Sequence, residues 1–184
     1  MNGWLFLKFL LFFACFAAFL FACGTFSAKV ETAKNVDLNR YMGIWHEIAR
    51  LDTPFQRGKF NSKAEYSLSA DGSVLIKNSA EDKDGKRSSV SARAYAPHSN
   101  DFSKLRVSFF RPFYSDYLIL EIDPNYQWAL VGGSGKKYLW ILARAKTLDS
   151  ETLNKIIMLA QKRGYDTSKL LFNSDLAAKA HRGQ

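Results

Sequence analysis

From residue 60 to residue 144 the chain repeats one pattern: a short run in which apolar and polar side chains alternate, then a turn. Ala64, Tyr66 and Leu68 alternate with Lys63, Glu65 and Ser67, and Leu105, Val107 and Phe109 alternate with Lys104, Arg106 and Ser108. Side chains two apart in an extended strand share a face, so each run reads as a strand with one covered side. Asp71-Gly72 and Asp84-Gly85 are hairpin turn signals, and Asp123-Pro124-Asn125 and Gly132-Gly133-Ser134-Gly135 punctuate the later runs. With a first strand from Gly43 and further runs at 74–76, 90–96, 117–122, 128–131 and 138–144, the pattern predicts eight strands joined by hairpin links. The expected fold class is all-β. Such a meander closes into an antiparallel up-and-down barrel, because closure removes unpaired edges. Eight strands leave an interior that holds one small ligand.

The late strands break the alternation. Residues 117–120 and 138–142 are apolar on both faces, so something must cover their outer side. The cover follows at 150–163, where Leu153, Ile156, Ile157 and Ala160 recur at helical spacing and Glu151, Asn154, Lys155 and Lys162 fall elsewhere. Asp149 can cap the start of this helix and Gly164 its end. Residues 170–172 predict a short last strand, and 174–184, rich in Ala and Lys, a flexible tail. Residues 37–42 predict one helical turn capped by Asp37. In the strand that follows, parity places Trp45, Glu47, Ala49 and Leu51 on one side and Ile44, His46, Ile48 and Arg50 on the other. Neither side is cleanly polar, so both are expected to be covered. Gly43 lets another group approach the strand closely.

The N-terminus has a different composition. Lys8 precedes 14 apolar residues, 9–22, the layout of a secretory signal and short for a spanning helix. Residues 24–36 are small and polar and read as a tether. Both cysteines, Cys15 and Cys23, lie in this part, so the body of the chain offers no disulfide, thiolate metal site or cysteine nucleophile. The net charge is +9; of the 26 basic residues only Lys8 precedes Cys23, and no acid does, leaving +8 from Cys23 onward. That excess favours anionic partners, but the cations are scattered and not laid along one helix, so a solvated surface is the first reading, contact with an anionic lipid surface the second and nucleic acid a distant third. The Gly132–Gly135 stretch lies between strands, so it is a turn and not a phosphate cradle.

Leu20-Phe21-Ala22-Cys23 resembles the lipobox of bacterial lipoproteins, although Phe21 stands where a small residue is usual. The resemblance implies a signal peptide at 1–22, an acylated Cys23 as the lipid anchor, and delivery to the outer membrane. An uncleaved anchor and a plain cleaved signal are the alternatives. The body, 37–173, resembles a lipocalin, closest to the outer-membrane bacterial ones. Three motifs carry this: Gly43-x-Trp45 within Tyr41-Met42-Gly43-x-Trp45-x-Glu47-Ile48-Ala49-Arg50, then Ser115-Asp116-Tyr117, then Arg144 at the end of the eighth strand. His46 departs from the aromatic usual at its position. The resemblance implies that Gly43, Trp45 and Arg144 are structural, with the guanidinium lying over the indole and bonding the carbonyls of the 37–41 turn.

Parity and the family pattern then predict the lining. Tyr138, Trp140 and Leu142 share Arg144's face, leaving Leu139, Ile141 and Ala143 toward the helix. Leu105, Val107 and Phe109, and Ala64, Tyr66 and Leu68, point inward, and Tyr117 joins them. These residues suit an acyl chain. Arg93, Lys83, Lys86 and Arg111 are available near loops for a polar head. The resemblance implies a fatty acid or lysophospholipid carrier, with no cofactor and no metal, in the periplasm-facing part of an outer-membrane lipoprotein. It leaves a homodimer open. A structural or stress lipoprotein acting through its surface is the second reading, and an enzyme on a hydrophobic substrate the third. Against the enzyme, His46, His98 and His181 lack a partner at metal spacing, and Glu47 and Glu121 are the only strand acids with a route inward.

Overall fold

The computed structural model describes residues 30–98 and 101–182. The signal, Cys15 and Cys23 lie outside the described residues. One helical turn, α1 (Leu38–Tyr41), opens the fold, with the Asp37 carboxylate accepting from the Asn39 and Arg40 amides at 2.8 and 3.4 Å. Then come β1 (Gly43–Leu51), β2 (Lys59–Leu68), β3 (Val74–Asp82), β4 (Arg87–Tyr95), β5 (Lys104–Phe110), β6 (Phe113–Ile122), β7 (Trp128–Gly132) and β8 (Leu139–Ala143). Each pairs antiparallel with its sequence neighbour, and β1 pairs with both β8 and β2, which closes an eight-stranded up-and-down barrel. A helix, α2 (Ser150–Lys162), and a short strand, β9 (Leu170–Phe172), follow, with β9 added to the free part of β1.

Two apolar layers result. Inside the barrel, Trp45, Tyr66, Ile76, Val107, Val131 and Leu142 belong to one buried cluster. On the opposite phase, Leu120, Leu130, Leu139 and Ile141 are fully buried, as are Ile156 and Ala160 of α2. The helix is held to the outer wall near its middle and at its C-terminal end. Lys155 lies 5.8 Å from the ring centre of Trp128, and Arg163, its C-cap, donates to the Leu120 carbonyl and pairs with Glu121. Glu121 therefore faces outward, contrary to the inward route expected for it; it sits on the face that α2 covers.

The alternation also fails inside β1. Ladder pairs run from Glu47–Leu142 to Ala49–Ile141, two residues against one, so a bulge lies between them. The extra residue shifts the phase, and Arg50, expected opposite Glu47, ends on Glu47's side with both buried. Residues 173–182, expected as a tail, form a further helix, α3 (Asn173–Arg182). Its Ala-rich sequence is a strong helix former, and Asn173 accepts from the Asn61 amide at 2.7 Å. Reading the segment from its terminal position missed this.

Candidate functional site

Consecutive hairpins of an up-and-down barrel alternate between its two ends. The end where β1 begins is closed. Trp45 is fully buried there, and its Nε1 donates to the Tyr41 carbonyl at 2.7 Å. The Arg144 guanidinium stands 3.9 Å from the indole centre and donates to the carbonyls of Ile44, Arg40, Tyr41 and Tyr126 at 2.7–3.3 Å. Gly43 lies at φ +95°, and a Cβ there would stand 3.3 Å from Arg144 Nη1. Only glycine meets both the backbone and the space requirement.

Above this plug is a cavity of about 790 Å³, within the range of small-molecule sites. Its floor carries three tyrosines. The Tyr117 hydroxyl lies 2.6 Å from that of Tyr41 and 2.8 Å from that of Tyr66. Burial pushes Tyr66 up to about 12, and raises Tyr41 and Tyr117 well above the ordinary tyrosine range, so the floor is polar but uncharged at neutral pH. A stability loss in alkali follows. An unfolded tyrosine releases its proton near pH 10, and folded Tyr66 holds it to about 12, so the folded state binds more protons in between and stability falls as pH rises. Tyr66 alone accounts for roughly 3 kcal/mol of that loss. Urea unfolding measured from pH 9 to pH 12 should show it, with a flatter slope in Tyr66→Phe. Parallel profiles for the two proteins would refute this account of the floor.

One wall holds a buried polar network. Arg50 Nη1 meets Glu47 Oε1 at 2.5 Å, and Arg50 Nη2 donates to the Gln56 and Lys59 carbonyls at 2.9 and 3.0 Å. Gln56 Nε2 donates to the other Glu47 oxygen at 2.8 Å, and Gln56 Oε1 accepts from Trp140 Nε1 at 2.9 Å. The network fixes the Trp140 ring, which stacks on Tyr138 with centres 5.9 Å apart. Glu47, Gln56 and Trp140 all reach the cavity. A glutamate three residues before an arginine in an apolar strand was the available signal for the pair, since buried charges persist only together.

Ala64, Tyr66, Val107, Phe109, Tyr117, Tyr138, Trp140 and Leu142 are brought together as cavity lining. Leu105 is not among them; it is 1% exposed and packs in the core cluster. Leu68, expected inward, is exposed at the closed end, where β2 runs out past Tyr66. Ser62, Ile76, Asn78, Val90, Ser115 and Val131 also line the cavity and were not singled out from sequence. Of the four cations considered for a head group, Lys83, Lys86 and Arg111 stand on the open-end connections. Arg93 does not: it pairs with Asp71 of a closed-end turn at 3.1 Å, and it lines an outer groove that the Arg111 side chain also lines. Asp116 of the Ser115-Asp116-Tyr117 motif is bonded by the Ser134 side chain and accepts from Arg106 at 2.6 Å; first Ser134 and then Arg106 hold its carboxyl below the usual range, against burial. His46 is half-buried, with burial and then Lys146 and Lys63 lowering its pKa. Among the described residues no three His, Cys, Asp or Glu side chains gather as metal ligands, and no helix is long and apolar enough to cross a membrane.

A barrel plugged at one end, open at the other and apolar within can be compared with known proteins. The lipocalin-like domain model matches residues 36–175. Outer membrane lipoprotein Blc of Vibrio cholerae is 39% identical over 147 residues, covering 78% of this chain and 85% of that protein. Its Escherichia coli namesake is 38% identical over 163 residues, covering 86% and 92%. Temperature-induced lipocalin-1 of Arabidopsis thaliana is 37% identical over 151 residues, covering 77% and 81%. Among solved structures, insecticyanin from the tobacco hornworm Manduca sexta superposes with a TM-score of 0.65 at 21% identity, over 79% of this chain and 84% of that one; at such identity the likeness speaks for the fold alone. The matched domain, the level of identity and the plugged eight-stranded barrel agree: the chain belongs to the lipocalin family.

Proposed function

We propose that the barrel carries a single acyl-chain lipid, a fatty acid or lysophospholipid, for membrane maintenance or stress response. The observation that carries the reading is the cavity of about 790 Å³, lined by Val107, Val131, Leu142, Tyr138 and Trp140 and with Lys59 and Lys63 in its wall, at the end of the barrel whose connections carry Lys83, Lys86 and Arg111. An acyl chain would lie along these residues, and a phosphate or carboxylate would remain among the rim cations. The chain's relatives include outer membrane lipoproteins, which supports attachment to that membrane through a lipid on Cys23, with the barrel in the periplasm. Among the described residues two acids line the cavity, Glu47 and Asp116, and both are engaged, Glu47 by Arg50 and Gln56 and Asp116 by Arg106. Binding rather than catalysis fits that arrangement.

Ala64 lines the lower cavity, where its small side chain leaves room. Ala64→Trp should fill that room and weaken lysophospholipid binding by about 100-fold, with an unchanged circular dichroism spectrum. Native mass spectrometry of the delipidated protein with added lysophosphatidylethanolamine reads this. Equal occupancy of wild type and variant, or no bound species in either at micromolar lipid, would end the carrier reading.

A further inference from the structure

The seven connections between barrel strands divide by charge. At the closed end, 69–73, 96–103 and 123–127 carry Asp71, Asp101 and Asp123 and no Lys or Arg, a net −3. At the open end, 52–58, 83–86, 111–112 and 133–138 carry Arg57, Lys83, Lys86, Arg111, Lys136 and Lys137 against Asp52 and Asp84, a net +4. Exposed apolar rings follow the same division. Among the described residues four large apolar side chains are more than three-fifths exposed: Phe55 at 65%, Phe110 at 76%, Phe113 at 77% and Met158 at 61%. The three phenylalanines all stand on the open rim. Phe110 and Phe113 flank Arg111 at the tip of the β5–β6 hairpin, and Phe55 leans on Tyr138 across the mouth, with ring centres 6.1 Å apart.

The three rings bury little of their surface, and the cations stand on the open-end connections outside the cavity lining, with Arg111 also lining the outer groove and Lys136 reaching Gly164 at the end of α2. Together they match the boundary layer of a bilayer, where aromatic rings enter between head groups and cations meet phosphates. A second copy of this rim is a poor occupant, because two faces of net +4 repel.

We propose that the open rim docks on the surface of an anionic bilayer, with Phe110 and Phe113 entering the head-group layer and the cavity mouth turned to the lipid. The inference does not depend on what the cavity holds. Each rim cation at such a surface strengthens the contact about fivefold, and salt weakens it. A chain already tethered to the membrane needs only a weak rim contact, since that contact is then intramolecular. A lipid leaving the bilayer under the docked rim would enter the barrel without crossing water.

Amide hydrogen exchange of the full chain tests this on two sets of vesicles, phosphatidylcholine alone and phosphatidylcholine with a quarter phosphatidylglycerol. On the anionic vesicles, amides of 53–57 and 109–114 should exchange about tenfold more slowly, with the closed-end turns 69–73 and 123–127 unchanged. Phe110→Ser/Phe113→Ser, both at exposed positions, should lose the rim protection while far-UV circular dichroism stays the same. Co-sedimentation, recorded alongside, reads attachment by the N-terminus separately from rim protection. The proposal is overturned by rim amides indifferent to vesicles, by equal protection on phosphatidylcholine alone, or by protection that appears without vesicles as protein concentration rises, the sign of a second copy.

Discussion

Glu47→Ala is expected to destabilise the folded barrel by about 3–5 kcal/mol, because it leaves the Arg50 guanidinium buried without its counter-charge. Arg50 is 1% exposed, and its partners besides Glu47 are two backbone carbonyls. Its Nε already has no hydrogen-bond partner, so nothing nearby can take over the lost bond. The guanidinium cannot become neutral by releasing its proton, since arginine stays charged in proteins. A domain of this size is stable by roughly 5–15 kcal/mol, so the loss is a large share of the total. Urea denaturation measures it. Glu47→Leu/Arg50→Met removes both charges and replaces them with apolar volume, and should recover most of the stability. Single and double variants equally unstable would mean that the pair is not coupled, and the network account would fail. The damage should reach the site as well. Gln56 loses its acceptor on Glu47 and with it the fixed acceptor for Trp140 Nε1, so Trp140 fluorescence should change even where the variant remains folded.

That pair marks the limit of what the sequence discloses. Period-two alternation is a property of backbone geometry, and it turns Tyr66 and Val107 inward by itself; Trp140 and Leu142 lie in a strand apolar on both faces, where parity needs the family resemblance to choose the side. The same rule fails at Glu47 and Arg50 because a bulge adds one residue to β1 and reverses the phase after it. A bulge has no side-chain period of its own. Alternation also gives the face of a strand and not the height along the barrel. Leu105 and Val107 share a face, yet Leu105 lies in the packed core and Val107 lines the open cavity. Leu68 continues the phase of Ala64 and Tyr66 and is exposed at the strand's end. Arg93 and Arg111 belong to segments that the hairpin count sends toward opposite ends of the barrel, yet the stagger of β4 against β5, with Arg93 opposite Ser108, lets both side chains line one outer groove. The division of charge between those ends is written in the sequence. It becomes legible only when the strand count assigns each connection to an end.

Trp45→Ala is expected to cost about 3–5 kcal/mol, as a fully buried large ring is lost and the space cannot close. The prediction is strengthened by what rests on the indole. Tyr41 stacks on it with ring centres 4.9 Å apart, and Tyr41 in turn bonds the tyrosine floor of the cavity. Arg144 also lies over the indole, 3.9 Å from its centre, and its four carbonyl partners lie on three separate segments, α1, the start of β1 and the β6–β7 connection. Removing the ring therefore loosens both the closure of the barrel and the base of the cavity. For a chain of this length the melting temperature should fall by roughly 6–20 °C. Trp45→Phe keeps most of the volume and loses the Nε1 bond to Tyr41, so it should cost only about 1–2 kcal/mol. Arg144→Ala combined with Trp45→Ala completes a cycle, and the coupling should be about 0.5–2 kcal/mol, the size of a cation–π contact. Additive losses would show that ring and guanidinium act separately, and the plug would then be two neighbouring anchors instead of one unit.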